Sequence, residues 1–147
     1  MVLGQNPYAG ILSCADSRIA PKHGSDTGRG NVFVWRVAGN FAGTGSLASF
    51  EYAMTVLSTP LILVRGHNNC GAVTSTGKAV KVGQTFPGHI PSLISAIRPA
   101  VNAALHGSGD LLENAIRQND LLNVKKGSLR VVGGIYDLST GTVTLIV

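Results

Sequence analysis

Cys14, Asp16 and Arg18 stand two residues apart in ILSCADSRIAP at 11–21. An extended chain presents all three on one face, so a thiol, a carboxylate and a guanidinium close a short apolar run. A second segment, LILVRGHNNCGAV at 61–73, has the same form: an apolar run, then His67 and Cys70. Zinc takes thiolate and imidazole ligands in a tetrahedron, and three protein ligands leave the fourth position that a catalytic site keeps for water. Cys14, His67 and Cys70 supply such a set of two thiolates and one imidazole. Two thiolates neutralise the dication's charge, so a water bound there needs a nearby acceptor to lose its proton. Asp16 is placed to be that acceptor, and Arg18 can hold it through a bidentate charge-assisted pair.

Each residue has a plainer use when taken singly. A buried cysteine serves as a small hydrophobe, a histidine packs or is solvated, Asp16 caps a helix, and Arg18 pairs on the surface. The two cysteines can also form a disulfide or a redox dithiol, and Asp16 can close the site as a fourth ligand of a non-catalytic zinc. Taken together, C-x-D-x-R at one strand end and H-x-x-C at another favour the metal. His23, His89 and His106 lie in polar or loop contexts and read as solvated, with a proton shuttle open to any of them. The glycines at 39, 43 and 45 lack the lysine and the spacing of a phosphate-binding loop. Ser13 and Ser17 have no base beside them.

These residues need a scaffold, and the chain is long enough to build one: 147 residues match a single domain, 1–147, with a real core. Apolar residues at 44% and charged residues at only 13% argue against disorder. The formal charge is +5, but the twelve Lys and Arg are scattered and aromatics are few, which argues against a nucleic-acid surface. No apolar run is long enough for a membrane helix. The first residues, MVLGQNPYAG, lack the basic and apolar regions of a signal peptide. A cytoplasmic chain with reduced thiols is expected, where paired cysteines more often serve metal or catalysis than a bridge.

The periodicity alternates between strand and helix. Tyr8 to Ser13, Asn31 to Val37 (NVFVWRV) and LILVRG after Pro60 read as strands. Helices are expected from Leu47 to Leu57 with Ser46 as cap, from Cys70 through Val80, over Ile90 to Leu105, and over Asp110 to Asn123. LRVVGGIYDLSTGTVTLIV closes the chain as a hairpin around Ser139-Thr140-Gly141. The implied fold class is α/β: a mostly parallel sheet of about four strands with a C-terminal antiparallel edge strand, flanked by helices. Ligands of such sheets sit beyond the carboxyl ends of the strands, which is where both polar clusters fall.

ILSCADSRIAP, FVWRVAGNFA, SFEYAMTVLSTPLILVRGHNNCGAV and LRVVGGIYDLSTGTV resemble, in that order, the β-class carbonic anhydrases. The resemblance implies a zinc bound by Cys14, His67 and Cys70. It implies that Asp16 either pairs with Arg18, leaving zinc open to water, or swings onto zinc in a closed form. The implied reaction is CO2 + H2O ⇌ HCO3⁻ + H⁺ through zinc-bound hydroxide, oriented by Asp16 with Arg18 keeping the carboxylate ionised and aimed. The assembly implied is a homodimer or a dimer of dimers, and the substrate is CO2 or bicarbonate. A carbonyl sulfide or carbon disulfide hydrolase on the same scaffold is the nearest rival, those substrates being linear analogues of CO2. This chain reads as a shortened member of the family. Few residues precede the first strand, where family members generally carry a helical arm, KHGSD stands where an acidic and apolar stretch is usual, and NDLLNVKKGS between the last helix and the hairpin is short, which suggests a trimmed version or a sequence with segments absent. Gly24 and Ser25 make a weak helix there. Arg65 occupies an ordinarily apolar strand position, where its charge must find a partner or reach solvent.

Overall fold

The computed structural model describes residues 4–19, 27–107, 109–125 and 131–146. Its elements run β1 (Ala9–Ser13), β2 (Val32–Arg36), α1 (Thr44–Thr55), β3 (Ile62–His67), α2 (Gly71–Val82), α3 (Ile90–Ala104), α4 (Leu111–Lys125), β4 (Val131–Tyr136) and β5 (Val143–Leu145). The strands form one sheet in the order β2-β1-β3-β4-β5. The first four are parallel, and β5 joins β4 antiparallel. The expected α/β architecture and its antiparallel edge are both present.

Strand β1 lies between two neighbours, and all five of its residues are buried, as a central parallel strand requires. Leu12, Ile62 and Val64 form one core with Phe50 of α1, and Phe33 meets the Phe50 ring edge-on at 6.3 Å between centroids. Burying a side chain such as Phe50 contributes about 1.5–3 kcal/mol. In α3, Ile94, Ile97, Ala100, Val101 and Ala104 are buried at three- and four-residue steps, the stripe that the helical period predicts. Ile97 and Val101 join Val73 of α2 and Ala115 and Ile116 of α4 in a second core.

Two local expectations need correction, and Arg65 meets its expectation through an aromatic ring rather than through water. Ser46 does not cap α1: Gly43 occupies that position, and Ser46 sits inside the first turn. Its Oγ accepts from the Gly43 N–H and donates back to the Gly43 carbonyl, both at 2.9 Å, so the hydroxyl serves the helix start from the helical side. Helix α4 runs on to Lys125, past the expected end at Asn123, so most of NDLLNVKKGS belongs to the helix rather than following it. Arg65 does not reach water: it is 1% exposed, and its Nε and Nη2 have no hydrogen-bond partner among the described residues. Its guanidinium lies 5.5 Å from the centre of the Tyr136 ring, and burial pulls its pKa down. The expected weak helix at KHGSD and His23 both lie outside the described residues.

Register delivers the chemistry to one edge of the sheet. Ser13 pairs with Arg65, so Cys14 follows at the level of Gly66, one step short of His67. Both residues emerge at the carboxyl ends of adjacent strands.

Candidate metal centre

Cys14, His67 and Cys70 converge. Their ligand atoms all lie within 4.8 Å of one another, and all three residues are buried. The sulfurs of Cys14 and Cys70 are 4.0 Å apart. A tetrahedral ion with metal–sulfur bonds of about 2.3 Å would separate two thiolates by about 3.8 Å, whereas a disulfide needs about 2.05 Å. Both cysteines are free, so the disulfide alternative is excluded. His67 is fully buried, yet neither ring nitrogen has a hydrogen-bond partner among the described residues. An orphaned buried nitrogen costs about 1–3 kcal/mol, and a metal ion among these donors would satisfy one of them. The donor set therefore fits a metal.

Local structure explains each placement. Cys70 stands at the N-cap of α2 but makes no cap bond with its side chain. Its sulfur faces Cys14 instead. The N–H groups of Val73 and Ala72, at the helix start, favour its thiolate, but the proton shared with Cys14 and the burial of the site outweigh them and push its pKa up. Sharing with Cys70 is also the main cause that lowers the pKa of Cys14, to about 4, against the opposing effect of burial; His67 and the Gly39 N–H contribute in the same downward direction. Cys14 and Cys70 lie in the second core with the buried Ile19, Val73 and Ile97, and Phe41 and Ala72 pack against that core.

Asp16 and Arg18 form the expected pair. Arg18 Nε donates to Oδ1 at 2.9 Å and Nη2 to Oδ2 at 2.7 Å, while the Arg18 N–H also donates to Oδ1 at 3.0 Å. These bonds, the guanidinium's first, hold the Asp16 carboxyl well below its ordinary range. Asp16 Oδ2 lies 3.9 Å from His67 Nε2, beside the donor group but turned toward Arg18. Of the two arrangements the resemblance allowed, this is the paired one. His89 and His106 are exposed, at the start and beyond the end of α3, and neither belongs to the donor group.

Three residues to which sequence reasoning gave no role at the metal centre support the site. Arg36 at the end of β2 donates from Nε to the Cys14 carbonyl at 3.0 Å and from Nη2 to the Asp16 carbonyl at 2.7 Å, clamping the chain that carries both. Gly39 donates its N–H to Cys14 Sγ at 3.3 Å, and Asn119 donates to the Gly39 carbonyl at 2.8 Å. Arg36 sits within a plain strand pattern, and nothing in its spacing marks it. The glycine-rich loop at 38–46 was the one available signal for Gly39, although its use is a sulfur contact rather than a phosphate cradle.

Comparison with known proteins gives one direction. The family model described as carbonic anhydrase matches residues 9–125. Carbonic anhydrase 2 of Mycobacterium tuberculosis is 33% identical over 159 aligned residues, covering 99% of this chain and 77% of that protein. The solved β-carbonic anhydrase CcaA superposes with a TM-score of 0.79 at 30% identity, over 97% of this chain and 80% of that one. A tetrameric β-carbonic anhydrase from Sordaria macrospora has the same fold, with a TM-score of 0.83 at 22% identity over 97% of this chain and 82% of its own.

Proposed function

The chain belongs to the β class of carbonic anhydrases and is a carbonate dehydratase; from that premise we propose that it hydrates CO2 reversibly at a zinc ion held by Cys14, His67 and Cys70. The observation that carries this reading is the meeting of two sulfurs and one imidazole within 4.8 Å, while the Asp16 carboxylate beside them is engaged by Arg18. Two sulfurs and one nitrogen suit zinc. When bound, zinc lowers the pKa of a water toward neutrality and supplies hydroxide at the working pH.

The protein's own groups do the rest. Arg18 keeps Asp16 ionised and directs it, so that the carboxylate can accept a hydrogen bond from the reacting water and orient its lone pair toward CO2. Because both Asp16 oxygens are engaged by Arg18, the carboxylate is not free to serve as a fourth ligand, which favours an open site over a closed, non-catalytic one. The burial of both cysteines in an apolar core keeps bulk water from competing. Arg36 fixes the backbone from Cys14 to Asp16, so thiol and carboxylate keep their mutual direction.

The domain is taken to span 1–147, acting in the cytoplasm as a homodimer or a dimer of dimers. The tetrameric description of the Sordaria macrospora neighbour supports self-association. Among the described residues, no helix is long and apolar enough to cross a membrane.

The experiment pairs zinc analysis with stopped-flow CO2 hydration across neutral and mildly alkaline pH, and with turnover of carbonyl sulfide and carbon disulfide. Stoichiometric zinc with rapid hydration is expected. Full zinc with no hydration at any pH would mean a structural metal. Fast release of sulfide beside negligible hydration would reassign the substrate.

A further inference from the structure

Asn119 lies on α4 and is only 3% exposed, next to the buried Ala115 and Ile116. An amide in such a place costs free energy unless it is hydrogen-bonded. Its Nδ2 donates at 2.8 Å to the carbonyl of Gly39, eighty residues earlier in the chain. Gly39 is the third residue of a turn that closes when the Asn40 N–H donates to the Val37 carbonyl at 2.9 Å. Its φ of +79° is the left-handed value that a type II turn demands at this position. The Gly39 N–H points at Cys14 Sγ, 3.3 Å away. One glycine is thus held at both ends, its carbonyl by α4 and its N–H by a candidate metal ligand.

The Gly39 carbonyl belongs to the peptide whose Asn40 N–H closes the turn, so the Asn119 bond ties the turn to α4 and sets where it stands relative to β1. A glycine has no side chain of its own to anchor such a turn by packing. We propose that Asn119 is a positioning residue for the metal centre: by anchoring the 37–40 turn to α4 it keeps the Gly39 N–H within reach of Cys14 Sγ. The bond fixes the direction of one thiolate and draws charge from it, so the two sulfurs are unequal donors. A less donating Cys14 leaves the ion a stronger Lewis acid and offsets part of the neutralisation that two thiolates impose. This rests on the reading of Cys14 as a metal ligand. Outer contacts of this kind are commonly worth about 10–100-fold in metal affinity.

The test is Asn119→Leu, close in size and without a donor, compared with the wild-type chain loaded with zinc or Co(II). The expected result is a folded variant by circular dichroism that binds zinc about 10-fold or more weakly in chelator competition. Its thiolate-to-cobalt charge-transfer absorption should move to longer wavelength, because a sulfur freed of its N–H partner donates more readily. A variant that loses only thermal stability, with affinity and cobalt spectrum unchanged, would reduce Asn119 to packing and overturn the proposal. A measurement on the wild type stands whether or not the variant folds: the cadmium-loaded, isotope-labelled protein should show scalar coupling between the cadmium nucleus and the Gly39 amide proton. Absence of that coupling overturns the proposal as well. Wild-type coupling that disappears in a folded Asn119→Leu variant, in a chain that does not hydrate CO2, would sustain the role of Asn119 while ending the enzymatic reading. A chain that takes up no metal would end both.

Discussion

Arg18 holds Asp16 at two points and, through the same Nη2 that reaches Asp16 Oδ2, also donates to the carbonyl of Asn69 at 3.1 Å. Asn69 stands between His67 and Cys70 in a left-handed conformation, with φ of 54°. One guanidinium therefore ties the C-x-D-x-R segment to the H-x-x-C segment, and the carboxylate's direction depends on both. A lysine is a point charge and cannot reproduce the planar fork. Arg18→Lys should keep its zinc yet lose about 10–100-fold in kcat, measured by metal analysis beside stopped-flow hydration. Wild-type turnover would show that the clasp orients nothing.

Asp16→Asn tests the carboxylate itself. The variant should retain metal, because Asp16 is turned away from the donors, and should lose most of its turnover because an amide oxygen accepts less strongly and carries no charge. If zinc is lost together with activity, Asp16 is a ligand rather than an orienting group.

The pH response of Asp16 follows from its depressed pKa. In the unfolded chain this carboxyl titrates near the ordinary 3.8, and in the native protein Arg18 holds it lower. The stabilisation from this group is therefore complete above the unfolded value and fades as pH falls through the lower, folded one. Nothing should change around neutrality. A carbon-detected titration should find Asp16 still ionised at a pH where free carboxylates are half protonated; titration at the ordinary value would mean the pair does not persist in solution.

Removing a metal donor should act on binding and folding together. Cys14→Ser, His67→Ala and Cys70→Ser should each abolish stoichiometric zinc and hydration, and lower the thermal midpoint relative to the zinc-loaded parent. A variant that keeps full zinc would remove its residue from the ligand set.

Gly39→Ala meets two penalties at once. A Cβ there would come 2.4 Å from Ile97 Cδ1 and 3.2 Å from the Ala72 Cβ, and the φ of +79° is strained for any L side chain. Strain and overpacking together should cost about 2–4 kcal/mol in urea unfolding. Arg65→Met should do the reverse. It replaces a buried guanidinium whose Nε and Nη2 are unpaired among the described residues with an apolar chain of similar length, and should stabilise by about 1–4 kcal/mol. A lower unfolding midpoint in the methionine variant would mean that Arg65 has a favourable role beyond its contact with Tyr136.

Much of this protein is local and therefore legible in one dimension. β1, β2 and β3 announce themselves as apolar, β-branched runs, and α3 by its stripe at Ile94, Ile97 and Val101, because each pattern reflects the period of its own backbone. The candidate donors were legible for the same reason: Cys14 and His67 stand where apolar strands end, and Cys70 begins the helix three residues after His67. Errors arose where a local signal had two uses. Ser46 resembles a helix cap, but a hydroxyl inside the first turn satisfies the same N–H, and Gly43 as cap shifts the start.

What the chain determines by itself is the inventory and its ends: two thiols, an imidazole, a carboxylate and a guanidinium placed at strand and helix termini, and an alternating order of elements that forces a parallel sheet. Register and packing decide how those groups face one another. Arg36 reaches back to Cys14 and Asp16 from a neighbouring strand, Arg18 reaches Asn69 across the sheet edge, and Asn119 secures Gly39 from a helix eighty residues away. Such contacts leave no periodic trace, because hydrogen bonds form between atoms brought within about 3 Å by the folded backbone, whatever their separation along it.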